Sequence, residues 1–125
     1  MKSKRKRLTD RLDELVRLII RKRDGNRCQR CGKHVQGSDS HPSHVVPKGN
    51  GASKRRWDLL NIKLLCTHCH QWWHLNPTES GCWFAEAFPA RHDYLDKYRG
   101  GKPAPISTGE MEQLAEDYKE KLKEV

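Results

Sequence analysis

The stretch "CTHCHQWWH" (residues 66–74) concentrates two cysteines, three histidines and two tryptophans in one short segment. Cys66 and Cys69 have the spacing of a zinc-binding C-x-x-C pair. His70 and His74 are four positions apart, so a helix through this segment places both on one face, within reach of one cation. The segment therefore indicates one metal site, two metal sites or a tightly packed turn.

An upstream pair, Cys28 and Cys31, completes a set of four thiolates with Cys66 and Cys69, which is the ligand set that tetrahedral zinc prefers. Free cysteines that merely pack are the alternative, but two such pairs in one small chain are typical of metal binding. A structural zinc ion would also anchor the modest core of a 125-residue chain that is only 34% hydrophobic. Residues 32–65 separate the pairs, which is more than the ~15–20 residues of a simple zinc ribbon. The zinc is therefore expected to join the ends of a functional insert.

The histidine pair needs a separate account, because a four-thiolate zinc has no vacancy for it. His70 and His74 are thus available for a second metal ion with open coordination positions, as a catalytic metal requires. Metalloproteases use a similar pair but need Glu after the first histidine, and Gln71 stands there, which excludes that interpretation. Histidines that pack or face solvent remain the alternative.

The net charge of the chain and its lack of predicted targeting segments indicate which kinds of partner it can bind. The net charge is +9, and basic residues cluster in "KSKRKR", "RKRDGNRCQR" and "KGNGASKRR", close to the cysteine and histidine segments. This clustering favours a polyanion, most often nucleic acid, over a set of solvated faces. Neither a signal peptide nor a membrane span is predicted, so we expect a reducing, cytoplasmic compartment and no membrane partner.

Apolar spacing and turn residues predict a mainly helical chain with two short strands. Leucine, valine and isoleucine recur at helical spacing over residues 9–23, with Thr9 as the expected N-cap. "SHVVP" (43–47) has the β-branched pair of a short strand, ended by proline, and "DLLNIKLLC" (58–66) is a second extended segment. A helix carrying "HQWWHL" is expected to begin near residues 67–69.

The last third of the chain is predicted to be helical apart from one linker. "NPTES" (76–80) has an N-cap, a first-turn proline and an N3 glutamate, which predicts a helix that points Cys82 inward and is broken by Pro89. "RGGKPAPIS" is a linker by its Gly and Pro content, and residues 108–124 form an amphipathic helix. We expect one domain with four parts: a basic N-terminal helix (1–27), a zinc-containing core (28–76), a helical extension (77–99), and a linker with the C-terminal helix (100–125).

Two stretches, "SHVVPKGNG" (43–51) and "WDLLNIKLLCTHCHQWWH" (57–74), resemble the HNH endonuclease family. The family pattern begins with a histidine at the end of a strand, which an aliphatic pair and a proline follow. A glycine-containing loop, an asparagine and a histidine on a helix come next. The spacing between that asparagine and that histidine is the spacing found here between Asn61 and His70. Phage and bacterial HNH proteins are the most similar, and phage NinG-type recombination proteins resemble the chain more weakly. The resemblance implies an α+β fold: a small, mainly helical domain with a ββα-metal core, held by a four-cysteine structural zinc.

The resemblance also implies roles for individual residues. His44 matches the general base, and Asn61 matches the residue that ties the loop and orients that base. His70 and His74 match helix ligands of a catalytic divalent ion. With His44, Asn61 and His70 as the catalytic set, the chain is expected to be an enzyme.

One position departs from the family. The residue before the base is usually Asp or His and binds the metal, whereas this chain has Ser43, whose hydroxyl is a weak ligand. His41 or Asp39 could supply the third ligand instead. Without one, the ion would rest on the two helix histidines, water and a DNA phosphate.

The expected function is metal-dependent hydrolysis of DNA phosphodiester bonds, by nicking with low sequence specificity, in a phage-type setting. Zn²⁺ is expected in the structural site and Mn²⁺ or Mg²⁺ in the catalytic site, although imidazole ligands accept other divalent ions. Expected partners are DNA, a second copy of the chain if it is not monomeric, and phage packaging or recombination machinery, in a bacterial cell or phage-infected host. The expected phosphate contacts are Lys48, Lys54, Arg55 and Arg56.

Two other functions fit part of these features. A non-catalytic zinc module that binds nucleic acid explains the charge and the cysteines, but it leaves the spacing of His44, Asn61 and His70 as coincidence. An accessory protein of phage DNA packaging or recombination is the other alternative. Nicking of plasmid DNA separates an enzyme from both.

Overall fold

The chain forms an α+β fold, described for residues 1–100 and 104–125 in a computed structural model. The predicted linker therefore lies partly outside the described residues. The described part contains five α-helices and one antiparallel sheet of two strands, which confirms the predicted fold class. In chain order the elements are α1 (Lys4–Arg23), β1 (His41–His44), β2 (Ile62–Leu65), α2 (Thr67–Leu75), α3 (Pro77–Ala87), α4 (Pro89–Leu95) and α5 (Thr108–Glu124).

The sheet and α2 form a strand–strand–helix unit. β1 and β2 pair antiparallel, with His44 opposite Ile62 and His41 opposite Leu65. Cys66 follows β2 directly and is the N-cap of α2, its sulfur accepting from the Cys69 N–H. Cys66 is the single residue between strand and helix, so α2 begins directly beside the sheet.

The first strand begins earlier than the sequence indicated. We predicted a strand over 43–47, but β1 ends at His44. The valines after it leave the sheet because Asn61 binds their backbone: its carbonyl accepts from Val45 N–H at 2.8 Å and its side-chain oxygen from Val46 N–H at 2.8 Å. The predicted strand therefore lies too far toward the C-terminus. At Val46 the side chain of Asn61, and not a neighbouring strand, accepts the backbone hydrogen bond.

Helix α1 extends further toward the N-terminus than predicted. Ser3, not Thr9, is the N-cap, and its hydroxyl accepts from the Lys6 N–H at 3.1 Å. Lys6 also pairs with Asp10 at i,i+4, with 2.8 Å between nitrogen and carboxylate oxygen. The basic run is thus part of the helix, because lysine and arginine are good helix formers and their charges find local partners.

The core lies between α1, the sheet and α5. One face of α1 is buried, and it packs with β2 residues such as Leu64 and with Met111 of α5. Trp57 adds two links, since its indole N–H donates to Asp13 at 2.8 Å and its carbonyl accepts from the Tyr118 hydroxyl at 2.6 Å. The two terminal helices therefore pack on each other within one chain.

A second, smaller cluster joins α3 and α4 to the loop after β1. Its buried members are Val46, Phe84 and Leu95. We expected Cys82 to point inward as well, but it is exposed, because α3 turns Ser80 and Phe84 toward the interior instead. Within the described residues, no helix combines the length and the apolar character needed to cross a membrane.

Docking of α5 can be tested at Met111, which is fully buried against the core. Met111→Ala is expected to lower the free energy of unfolding by about 2–5 kcal/mol, because it leaves a cavity between α5 and α1. Lys119→Ala, at an exposed position of the same helix, is the matched control and should change it by less than about 0.5 kcal/mol. Urea denaturation measures both. Equal stabilities of the two variants would contradict the docked position of α5.

Candidate active site and metal centre

The four predicted zinc ligands meet in space. The sulfur atoms of Cys28, Cys31, Cys66 and Cys69 all lie within 4.8 Å of one another. The sulfurs of Cys31 and Cys66 are 3.9 Å apart, close to the ~3.8 Å expected between two thiolates on a tetrahedral zinc with Zn–S bonds of ~2.3 Å. The cluster therefore fits a zinc ion and joins the turn after α1 to the start of α2.

Backbone hydrogen bonds hold the turn that carries Cys28 and Cys31. Cys28 N–H donates to the Lys33 carbonyl at 2.8 Å, and Gly32 N–H donates back to the Cys28 carbonyl at 2.9 Å. Gly32 has φ +79°, which suits glycine. Burial opposes ionisation of Cys28, but backbone N–H groups of Cys31, Cys66 and Arg30 outweigh it and lower the pKa of Cys28 to about 7. At least one thiolate is thus favoured by the fold itself.

Arg30 is a residue of this cluster that we did not predict from the sequence. It donates to the Cys69 sulfur at 3.4 Å, and its guanidinium lies 3.6 Å from the centre of the Trp72 ring. Burial raises the pKa of Cys69 to about 12, against the effect of the Arg30 hydrogen bond. A bound metal cation would favour the thiolate form of Cys69 over the thiol, because metal binding requires the thiolate. The signal available in the sequence was a basic residue inside the first C-x-x-C pair.

The histidines of the motif face a cavity of about 860 Å³. α1, β1, the loop after β1, α2 and α3 all contribute to its wall. His44, His70 and His74 line it together with Ser43, whereas Asn61 is buried and does not line it. The structure thus brings the predicted base and the predicted helix ligands into one cavity.

His44 is held in a defined hydrogen-bonding state. Its Nε2 is 2.8 Å from the Arg56 carbonyl oxygen, which can only accept, so Nε2 carries the hydrogen. Burial lowers the pKa of His44, the Arg56 carbonyl opposes this, and the nearby charges of Lys48 and Lys63 add to the lowering. His44 is therefore a neutral imidazole near pH 7, with its lone pair on Nδ1.

Asn61 ties the two ends of the loop that carries this carbonyl. Its amide oxygen accepts from Val46 N–H, and its amide nitrogen donates to the carbonyls of Val46 and Arg55, both at 2.9 Å. Every polar atom of the buried side chain is thus bonded to backbone. Asn61 fixes the position of the Arg56 carbonyl relative to β1, and through it the ring of His44.

The helix histidines form a contiguous pair. Nε2 of His70 and Nε2 of His74 are 3.0 Å apart, close to the separation of two nitrogens bound to one metal at ~2.0–2.1 Å. Burial is the largest cause that lowers the pKa of His70 to about 4, which keeps the ring neutral and available as a ligand. On the other side of the His70 ring, Nδ1 lies 2.8 Å from Nδ1 of His41.

The other candidates for the third ligand have different surroundings. Ser43 is buried and its hydroxyl accepts from the Lys63 ammonium at 3.2 Å. Asp39 accepts from the Thr67 N–H at 2.9 Å and pairs with Lys33 at 2.7 Å, so its carboxylate contacts the start of α2 instead of the cavity histidines.

Lys63 is the second residue that we missed. It is completely buried, and its ammonium also approaches the carbonyls of Ser43 at 3.5 Å and His44 at 3.4 Å and lies 3.5 Å from the centre of the Trp73 ring. Burial lowers the pKa of Lys63 well below its ordinary value. The sequence signal was the polar residue between apolar neighbours in β2, which pairs with Ser43 across the sheet. A basic side chain, held by oxygen atoms and a ring face, therefore stands beside the position where the family usually has a metal ligand.

The four predicted phosphate contacts are in unlike environments. Lys48 is exposed and lines the cavity, and the exposed Lys54 lies 3.8 Å from Glu110. Arg55 has a buried Nε atom without a hydrogen-bond partner among the described residues. Arg56 pairs with Asp13 through two nitrogens, at 3.0 and 2.8 Å, so its charge is largely compensated. The cavity wall gains exposed cations that we did not predict, Arg17 and Arg99.

Comparison with known families agrees with this geometry. Residues 28–74 match the family model described as HNH endonuclease, which spans the cysteine cluster, both strands and α2. Residues 28–74 are therefore similar to an HNH endonuclease domain, as the sequence resemblance implied. A match to this domain indicates nuclease activity and metal binding. No curated protein and no solved structure matches the chain.

The cysteine cluster makes a direct prediction about metal content. Protein purified without added metal is expected to hold about one tightly bound zinc ion per chain, and Cys66→Ser should lose it and unfold at a much lower temperature. Cys82→Ser is the matched control, because Cys82 is exposed and outside the cluster. Elemental analysis and thermal unfolding measure both. Wild-type protein that is folded, reduced and free of zinc would refute the assignment.

Proposed function

We propose that this protein is a metal-dependent endonuclease that hydrolyses DNA phosphodiester bonds, nicking duplex DNA with low sequence specificity. One observation carries the proposal. His44, whose Nε2–H is held by the Arg56 carbonyl, lines the same cavity as the His70–His74 pair. A base and a pair of metal ligands that face one cavity are what metal-assisted hydrolysis requires.

His44 acts as the general base in this proposal. The Arg56 carbonyl holds its Nε2–H, so Nδ1 can accept a proton from water, and the same carbonyl stabilises the imidazolium that results. Asn61 acts indirectly by fixing this carbonyl. A neutral starting state is supported by the burial that lowers the pKa of His44.

His70 and His74 are the residues that would hold the divalent ion. Their two Nε2 atoms fit a first-row ion, and the chemistry such an ion supplies is charge stabilisation at the phosphate and the leaving oxygen. We propose Mn²⁺ or Mg²⁺ as the activating ion, with Mn²⁺ the better match to imidazole. The structural site is proposed to take Zn²⁺.

DNA is proposed to lie across the cavity mouth. Lys48 on the loop after β1 and Arg17 on α1 are exposed and line the cavity with the histidines, which supports their proposed role as phosphate contacts. Lys54 and Arg55 remain proposed contacts further along the loop. Arg56 is proposed to position Asp13 and the loop instead, because its charge is already paired.

A second function is favoured by one observation. Ser43 replaces the usual acidic or histidine ligand, and the ammonium of Lys63 stands beside it. A protonated Lys63 there would repel a divalent ion. The competing proposal is therefore a non-catalytic zinc module that binds nucleic acid, or an accessory protein of phage DNA packaging or recombination. Catalysis distinguishes the two.

The base is tested by His44→Ala. Purified protein is incubated with supercoiled plasmid and Mn²⁺, and loss of the base is expected to lower the nicking rate about 10²–10⁴-fold with unchanged zinc content and DNA affinity. His68→Ala, at an exposed position of α2, is the matched control and should nick at the wild-type rate. His70→Ala should also lose activity, but raised Mn²⁺ should restore part of it and should not rescue His44→Ala. Wild-type nicking by His44→Ala would refute this role, and DNA binding without any nicking by the wild type would support the competing proposal.

The DNA path is tested by the salt dependence of binding. Lys48→Ala and Arg17→Ala are each expected to weaken binding to unrelated duplexes about equally and to reduce the slope of log affinity against log salt by about 1. Lys119→Ala on α5 removes the same charge away from the cavity and should leave the slope unchanged. Fluorescence anisotropy at several salt concentrations measures this. Equal slopes for all three variants would contradict the proposed path.

A further inference from the structure

A row of hydrogen-bonding groups leads from a backbone carbonyl to the histidine pair. Nε2 of His41 is 2.7 Å from the Ser38 carbonyl oxygen. The opposite nitrogen of the same ring, Nδ1, is 2.8 Å from Nδ1 of His70. Nε2 of His70 is in turn 3.0 Å from Nε2 of His74. His70 thus has one nitrogen committed to His41 and the other directed at His74.

The carbonyl at one end determines where each hydrogen lies. A carbonyl oxygen only accepts, so the 2.7 Å contact requires the hydrogen on Nε2 of His41. Nδ1 of a neutral His41 is then an acceptor, and the contact with His70 requires the hydrogen on Nδ1 of His70. The remaining nitrogen of His70, Nε2, therefore has a free lone pair and faces His74.

The start of this row is firmly held. Ser38 lies in a single 3₁₀ turn, Gly37–Asp39, and the Asp39 carboxylate accepts from the Thr67 N–H at 2.9 Å at the first turn of α2. The Thr67 hydroxyl lies 3.1 Å from Nε2 of His41 and 3.4 Å from the Ser38 carbonyl. The carbonyl, His41 and the helix that bears His70 are therefore fixed relative to one another.

We propose that His41 is a positioning residue that fixes the tautomer and orientation of His70, so that His70 binds the divalent ion through Nε2 together with His74. This inference rests on the metal site of the proposed function. In this proposal His41 hydrogen-bonds to the ligand His70 and does not itself bind the metal as the third ligand. Outer hydrogen-bond partners of ligating histidines typically change metal affinity about 10–100-fold.

Two substitutions separate this role from simple packing. His41→Phe keeps a ring of similar size but removes the acceptor, and it is expected to weaken Mn²⁺ binding about 10–100-fold. His41→Gln keeps an oxygen that can accept from His70 Nδ1–H, and it should recover most of that affinity. His68→Phe, at the exposed histidine of α2, is the control and should bind Mn²⁺ like the wild type. Calorimetric titration of zinc-loaded protein measures the affinity, and zinc content and melting temperature verify the fold.

The ligating nitrogens can be identified directly with ¹¹³Cd²⁺ as the probe in ¹⁵N-histidine-labelled protein. Cadmium–nitrogen coupling is expected at Nε2 of His70 and of His74, with His41 uncoupled and protonated on Nε2. Coupling to His41 would overturn the proposal, as would unchanged Mn²⁺ affinity in His41→Phe. If His70→Ala loses the ion while His41→Phe does not, only the role of His41 fails. If the wild type binds no second metal ion, this role and the proposed metal-dependent function fail together.

Discussion

The convergence of four cysteine sulfurs is the constraint on which the rest of the structure depends. It joins the turn that follows α1 to the first turn of α2, and everything between those points is a closed insert. Both strands and the loop with the basic residues lie in that insert. Because α2 begins at a cysteine of the cluster, the position of the cluster sets the position of His70 and His74. A metal ion there would stabilise the fold and the candidate active site through the same bonds.

Inside the insert, backbone groups do most of the positioning. Asn61 uses all of its side-chain hydrogen-bonding atoms on the loop backbone, the Arg56 carbonyl holds His44, and the Ser38 carbonyl holds His41. Carbonyl oxygens accept and never donate, so each determines which nitrogen of its histidine carries hydrogen. Among the described residues, backbone carbonyls and not carboxylates therefore set the tautomers of His41 and His44.

The electrostatics of the cavity depend mainly on burial and on the basic side chains near its histidines. Ser43 offers a hydroxyl that is engaged by Lys63, and the neighbouring charges lower the pKa values of His44 and His70 along with burial. Neutral imidazoles are suitable both as a base and as ligands. Exposed cations on the cavity wall, Lys48, Arg17 and Arg99, favour a phosphate as its occupant.

The sequence alone determined the features that depend on residue type and local spacing. The cysteine pairs, the helix over "HQWWHL", the final helix at 108–124 and the resemblance that places His44, Asn61 and His70 all follow from short-range patterns. Only the tertiary structure decided which groups meet across the chain. The pairing of the strands brings Lys63 to Ser43, and the contact between β1 and α2 brings His41 to His70. The packing of α1 against the loop pairs Arg56 with Asp13. The same packing places Arg17 at the cavity. These contacts join residues distant in sequence, and no local pattern encodes them because they depend on how the closed insert packs against α1.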